Sequence, residues 1–226
     1  MKGILIAIDG VDASGKESQS KALYSRLKEA GYNVLRVSFP DYDSESSSLV
    51  KMYLSGAFGE DPNAITPYVA STFYAADRFA SYTTKWKAFY ESGGIVIADR
   101  YTTANMVHQA SKIRDENEKN VFLDWLWNLE YEIYGIPKPK QVFFMDMPPE
   151  YSTKLMDGRK NKFTGDAQKD IHEKDKNHIR EAYENALYVA EKYNWELIRC
   201  VSEDTIRSID TISDEIYLKV EAILTT

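Results

Sequence analysis

Residues 4–16 read Ile-Leu-Ile-Ala-Ile-Asp-Gly-Val-Asp-Ala-Ser-Gly-Lys, and a helix-favouring stretch from Ser18 to Leu27 follows at once. An apolar run that breaks on a glycine, turns, and enters a helix admits few folds. Glycines at 10 and 15 let the backbone turn tightly with its N–H groups aimed inward, which suits an anion such as a triphosphate. The unsatisfied N–H groups and dipole of the helix start favour the same ligand, and Lys16 adds a mobile positive charge. Gly10, Val11, Asp12, Ala13, Ser14, Gly15, Lys16, Glu17 and Ser18 are therefore the candidate phosphate-binding stretch, in the Gly-x-x-x-x-Gly-Lys spacing of a phosphate loop. One position departs from that pattern. Where a Ser or Thr hydroxyl would help hold Mg²⁺, the chain has Glu17, with Ser18 one residue later. A glycine-rich strand-to-helix turn with Glu17 as a first-turn acid is the reading that needs no ligand.

The rest of the chain repeats this alternation. Short apolar runs at 4–8, 34–37, 95–98, 142–145 and 197–198 are separated by stretches with helical spacing at about 16–30, 46–55, 66–91, 102–112, 118–134, 149–157, 174–193 and 205–223. The expected class is α/β, with five strands. Runs that are apolar throughout, rather than at alternate positions, predict strands covered on both faces, as in a parallel sheet between helices. With 226 residues and no long polar linker, 1–226 is expected to be one domain. Ile206, Ile209, Ile212, Ile216 and Val220 predict an amphipathic terminal helix that packs on the core.

Charge and cysteine content narrow the partners. A net charge of −7 argues against general binding to nucleic acid or membrane surfaces, so anionic ligands must meet local cations. The single cysteine, Cys200, forms no internal disulfide, and no apolar run is long enough to span a bilayer; a cytoplasmic location is expected. Cys200 reads as a packed strand-end residue. The polar stretch 157–170 carries Arg159, Lys160 and Lys162 close to Lys154. Those cations suit either a lid over a bound triphosphate or a solvated loop.

Two further constellations bear on chemistry. Asp99-Arg100-Tyr101 ends the third apolar run and should lie at the carboxyl edge of the sheet, where ligands bind in open α/β folds. The acid there can orient Mg²⁺ or its water shell, and the guanidinium can hold phosphoryl oxygens; a mutual salt bridge is the alternative. In Phe73-Tyr-Ala-Ala-Asp-Arg78, the four-residue spacing sets Tyr74 and Arg78 on one helix face, able to stack on a base and donate to its edge; a core tyrosine with a solvent-facing arginine is the alternative.

Taken in order, Gly10–Lys16, Phe39-Pro40, Phe73–Arg78, Asp99-Arg-Tyr101 and Gly135-Ile-Pro-Lys-Pro139 resemble the thymidylate kinase family of P-loop nucleoside monophosphate kinases over residues 1 to about 200. The resemblance implies a three-layer core with strand order 2-3-1-4-5, a mobile lid at about 157–170, a homodimer, ATP with Mg²⁺, and transfer of a phosphoryl group to dTMP. It places Lys16, Arg100, Asp12 and Arg159 in catalysis. Asp12, Phe39, Pro40, Tyr74, Arg78, Arg100, His108 and Gln109 would bind dTMP: Asp12 near the sugar hydroxyl and acceptor phosphate, Tyr74 stacked on thymine, Arg78 at its O4. Asp99 would sit near Mg²⁺, with Glu17 a second possibility. Tyr42 and Ala13 stand where some members carry arginines, which makes Arg159 or a neighbouring lid cation the candidate for the missing charge. A kinase for dUMP or UMP, and a nucleotide-binding protein with weak catalysis, are the alternatives.

Overall fold

The computed structural model describes residues 2–59, 61, 64–156 and 176–225. Its strands β1 (Ile4–Gly10), β2 (Val34–Ser38), β3 (Ile95–Asp99), β4 (Gln141–Asp146) and β5 (Glu196–Arg199) fall on the five apolar runs. They form a parallel sheet of order β2-β3-β1-β4-β5. Burial on both faces explains why the central strands are apolar at every position. Ile6, Ile8, Ile97, Phe143 and Met145 face one way, against Leu23 and Leu27 of α1 (Lys16–Glu29) and Ile212, Ile216 and Val220 of the C-terminal helix. Leu5, Ala7, Val96, Ala98 and Val142 face the other way, onto Tyr82, Trp86, Tyr101, Tyr131 and Ile136. The period of two along each strand thus divides one continuous run between two cores.

The helices on these faces are α2 (Ser48–Leu54), α3 (Pro67–Ser81), α4 (Lys87–Glu91), α5 (Thr102–His108), α6 (Glu116–Trp127), α7 (Pro149–Met156) and α8 (Lys176–Lys192). Thr66 starts α3 by accepting from the Val69 N–H, with Pro67 in the first turn, where a missing N–H is harmless. The predicted helix 66–91 is continuous but wider in the middle: Tyr82–Trp86 form a π turn, with Tyr82 and Trp86 edge to face at 4.7 Å. A second π turn, Asn128–Ile133, continues α6. The predicted helix 102–112 tightens to a 3₁₀ turn at Ala110–Lys112.

One expectation is corrected. Ile206 is not on the terminal helix. Val201–Ser202 and Thr205–Ile206 form a two-stranded antiparallel ladder, β6 and β7, around Glu203 and Asp204, whose φ of 50° and 57° makes the left-handed corner of a tight hairpin. The helix, α9 (Ile209–Leu224), begins only after Ser208, which accepts from the Thr211 N–H. Cys200, between β5 and β6, is buried as expected, and burial followed by repulsion from Asp146 pushes its thiol up to about 12, so it stays protonated and inert at neutral pH. Among the described residues no helix is long and apolar enough to cross a membrane.

Candidate active site

β1 delivers the phosphate loop to the carboxyl edge of the sheet. A side chain at Gly10 would meet Ser14 Oγ at 2.4 Å and Met145 Cβ at 3.0 Å, so only glycine lets the loop fold this closely onto β4. Gly15 has φ 88° and Ala13 has φ 58°, so the loop passes twice through the left-handed region, and the Ser14 N–H donates to the Val11 carbonyl at 3.2 Å; at Ala13 the left-handed backbone costs of order 1 kcal/mol. Lys16 is buried and bends back across the loop, its Nζ donating to the Val11 carbonyl at 3.0 Å and lying 3.8 Å from Asp12. Ser14 Oγ is buried with no partner among the described residues. Glu17 points along the helix, where its Oε1 accepts from Lys21 Nζ at 2.8 Å, and Ser18 is exposed.

Arg100 leaves the end of β3 with φ 63°, its N–H donating to the Ile8 carbonyl. That turn sends the side chain over the loop rather than away from it. Its Nη2 donates to Asp12 Oδ1 at 2.5 Å, its Nη1 lies 3.0 Å from His108 Nε2 and 3.7 Å from Asp9. Burial would lower the basicity of the guanidinium, but Asp12, then Asp9 and Asp99, outweigh it and hold the charge firmly. The suggested salt bridge between Asp99 and Arg100 does not form. Asp99 instead accepts from Arg36 Nη2 at 2.8 Å, while Arg36 Nε donates to Ser20 Oγ at 2.8 Å, tying β2 and β3 to α1.

Three residues of this edge were missed in the sequence. Asp9 is fully buried, with its carboxylate accepting from the Gly10 N–H at 2.8 Å and the Thr103 hydroxyl at 2.5 Å; burial raises its pKa, while Arg100 and these hydrogen bonds oppose the rise. An acid at the carboxyl end of a strand was the available signal. Arg36, a cation inside an otherwise apolar run, was the second. Glu130 offered no local signal.

Glu130 matters because it changes the position of Arg78. The guanidinium does not lie open beside Tyr74; it is 2% exposed and pairs with Glu130 through Nε and Nη2, both at 2.6 Å. Asp77, next to it, holds the loop after β2 by accepting from the Asp41 N–H and the Ser46 hydroxyl. Tyr74 is half-buried, edge-on to Tyr53 at 6.4 Å, in a cluster that includes Tyr42. Phe39 is buried, precedes Pro40 through a cis peptide bond, and packs on Tyr101 at 5.9 Å. Gln109 is buried and its Oε1 has no partner among the described residues. The structure therefore joins Asp12, Lys16, Arg100 and His108 directly, and sets Tyr74 in a separate aromatic wall. Arg159 and the other expected lid cations at 160 and 162 lie outside the described residues; Lys154 sits over the Tyr151 ring at 5.5 Å.

A loop of this kind at the carboxyl edge of a 2-3-1-4-5 parallel sheet places the chain in the class of P-loop nucleotide phosphotransferases. Comparison with known proteins resolves the class further. The family model described as thymidylate kinase matches residues 8–216, and the chain belongs to the thymidylate kinase family. It is 28% identical to a thymidylate kinase of Mycobacterium tuberculosis over 76% of this chain and 78% of that one. It is 26% identical to one from Exiguobacterium over 96% and 93%. The solved structure of the Candida albicans thymidylate kinase superposes with a TM-score of 0.73 at 20% identity, covering 98% of this chain and 92% of that one, and so shares the fold.

Proposed function

We propose that this chain transfers the γ-phosphoryl group of ATP to dTMP, giving dTDP and ADP, and that residues 1–226 form one kinase domain with a lid at about 157–170. The observation that carries this reading is Arg100, turned by its left-handed backbone to meet Asp12 inside the phosphate loop, one guanidinium between the donor cradle and the acceptor side. An acceptor phosphate already bears negative oxygens and needs no strong base, so catalysis comes from alignment and charge neutralisation. Backbone N–H groups of residues 10–18 and Lys16 hold the donor phosphates. Arg100 holds the acceptor phosphate and the group in transit, Asp12 orients Arg100 and meets the sugar, and Arg159 supplies charge from the lid. Phe39, Pro40, Tyr74, His108 and Gln109 enclose dTMP. Arg78, held by Glu130, supports the base side from within the core, and donates to the base only if that pair opens.

Mg²⁺ fits the acids present. Among the described residues no group of three or more acidic, His or Cys side chains converges to cage an ion. One or two carboxylates plus substrate phosphates are what Mg²⁺ commonly uses. Asp99, at the end of β3, is the residue to hold its water shell, and Glu17, drawn to Lys21, leaves that space to others. When bound, the ion supplies neutralisation of charge across the transferring phosphate oxygens.

ADP release from Mg²⁺-ATP, measured with dTMP, dUMP, dCMP, dGMP and UMP in turn and without acceptor, tests this reading. At least about tenfold higher kcat/KM for dTMP than for dCMP or dGMP is expected. Preference for dUMP or UMP would replace the substrate. Binding of ATP with no turnover on any acceptor would leave a nucleotide-binding protein.

A homodimer is part of the proposal. Helix α3 packs on both α2 and α6, and Leu49, Met52, Val69, Phe79 and Val121 on these three helices are exposed apolar side chains that a second copy would cover. Light scattering on the eluting protein should give twice 25.9 kDa. Val69→Glu with Phe79→Glu should halve that mass; a parent mass of one chain would remove the dimer.

A further inference from the structure

Arg100 meets an unusual partner for a guanidinium, the ring nitrogen of His108, at 3.0 Å from Nη1. Arginine has five N–H donors and no acceptor, so the imidazole must present a lone pair at Nε2. Accepting from Arg100 in this way requires a neutral imidazole with its ring proton on Nδ1. The bond fixes one arm of the guanidinium fork while Asp12 fixes the other, and the direction of the fork follows from both. Resting on the phosphoryl-transfer reading above, we propose that His108 is a positioning residue for Arg100, and that it aims the guanidinium at the acceptor phosphate only while its imidazole is neutral.

Protonation of the ring would remove the lone pair and set a second positive charge beside the first. Arg100 would then be left to the carboxylates. Among the described residues, the charged groups around the pair are Asp9 at the end of β1, Asp12 in the loop after it, Lys16 from α1 and Asp99 from β3; Tyr42 faces Arg100 from beyond β2. One turn beyond His108, Lys112 donates to Tyr53 at 2.6 Å. Helix α8, packed on α5, presents Ala182, Ala186 and the amide of Asn185, which donates to the carbonyls of Met106 and Val107. Gln109, the next residue, is uncharged.

The test compares the KM for dTMP at pH 6 and pH 8, which spans the range in which histidine rings exchange their proton, in the parent, His108→Gln and His108→Phe. The phosphate of dTMP titrates identically in all three. In the parent, the ratio of KM at pH 6 to KM at pH 8 should exceed that of His108→Gln roughly fivefold, because the amide oxygen accepts at both values. His108→Phe should raise KM about tenfold at both, with the KM for ATP unmoved in every case. Superimposable ratios in parent and His108→Gln would overturn the proposal. A second measurement needs no substrate: nitrogen NMR of the ring, in a chain with three histidines, should find Nε2 unprotonated at pH 8. A proton on Nε2 would overturn the proposal directly. Absence of dTMP turnover in the parent would sink the substrate reading alone, and the ring measurement would still decide the His108–Arg100 pair.

Discussion

Arg100→Asn should lower kcat at least about a thousandfold while the affinity for Mg²⁺-ATP changes by less than about threefold, since a transition-state arginine is worth 10³ or more in phosphoryl transfer. Asparagine is the informative replacement. Residue 100 has φ 63°, and asparagine tolerates that backbone better than alanine, so the loss reports the guanidinium rather than a strained turn. Two effects combine. The planar fork that we propose to grip phosphoryl oxygens disappears, and Asp12 and Asp9 lose the cation that offsets them, so a second anion would approach uncompensated carboxylates. Rapid-quench measurement of a single turnover isolates the chemical step. A fall smaller than about tenfold would move the catalytic charge elsewhere, with Lys16 and the lid cations next in line.

Glu130→Ala should destabilise the fold by about 3–5 kcal/mol, a large share of the ~5–15 kcal/mol that holds a typical domain. The carboxylate is fully buried and accepts three hydrogen bonds, two from Arg78 and one from the Thr102 hydroxyl at 2.9 Å. It joins α3, the π turn after α6 and the first turn of α5, directly behind the corner that carries Arg100. Glu130 offsets the burial that opposes the Arg78 charge; without it, the guanidinium is left as an uncompensated charge in a site that water does not reach. Arg78→Met with Glu130→Leu removes both charges and should recover most of the loss, as apolar replacement of a buried pair commonly does. Urea midpoints measure both. If Glu130→Ala shifts stability by less than about 1 kcal/mol, Arg78 finds another partner, and its availability to a substrate base has to be reconsidered.

These two residues mark where sequence reading reaches and where it stops. Arg100 was legible: it ends an apolar run, and run ends of a parallel sheet gather at the ligand edge. Its partners were not. Asp12 is 88 residues away, Asp99 takes Arg36 from 63 residues away, and Arg78 takes Glu130 from 52. A charged side chain in a sequence carries no mark of which opposite charge it will meet, because pairing depends on what else is excluded from water around it. The hairpin before α9 escaped for a different reason. Isoleucines at 206 and 209 continue the helical spacing of 212 and 216, and only the left-handed corner at Glu203 and Asp204 breaks it.

The amino-acid sequence by itself determined the layered α/β core and the phosphate loop, since both follow from local rules: apolar runs demand burial on two faces, and a tight anion cradle demands glycine at 10 and 15. The tertiary structure alone decided which charges work at the surface of the site and which lock its foundation. It turned Arg100 toward His108 and Asp12 and drew Arg78 into the core with Glu130. The physical reason is that a buried charge takes the partner that packing brings within hydrogen-bonding distance, and that choice is made across the whole fold rather than along the chain.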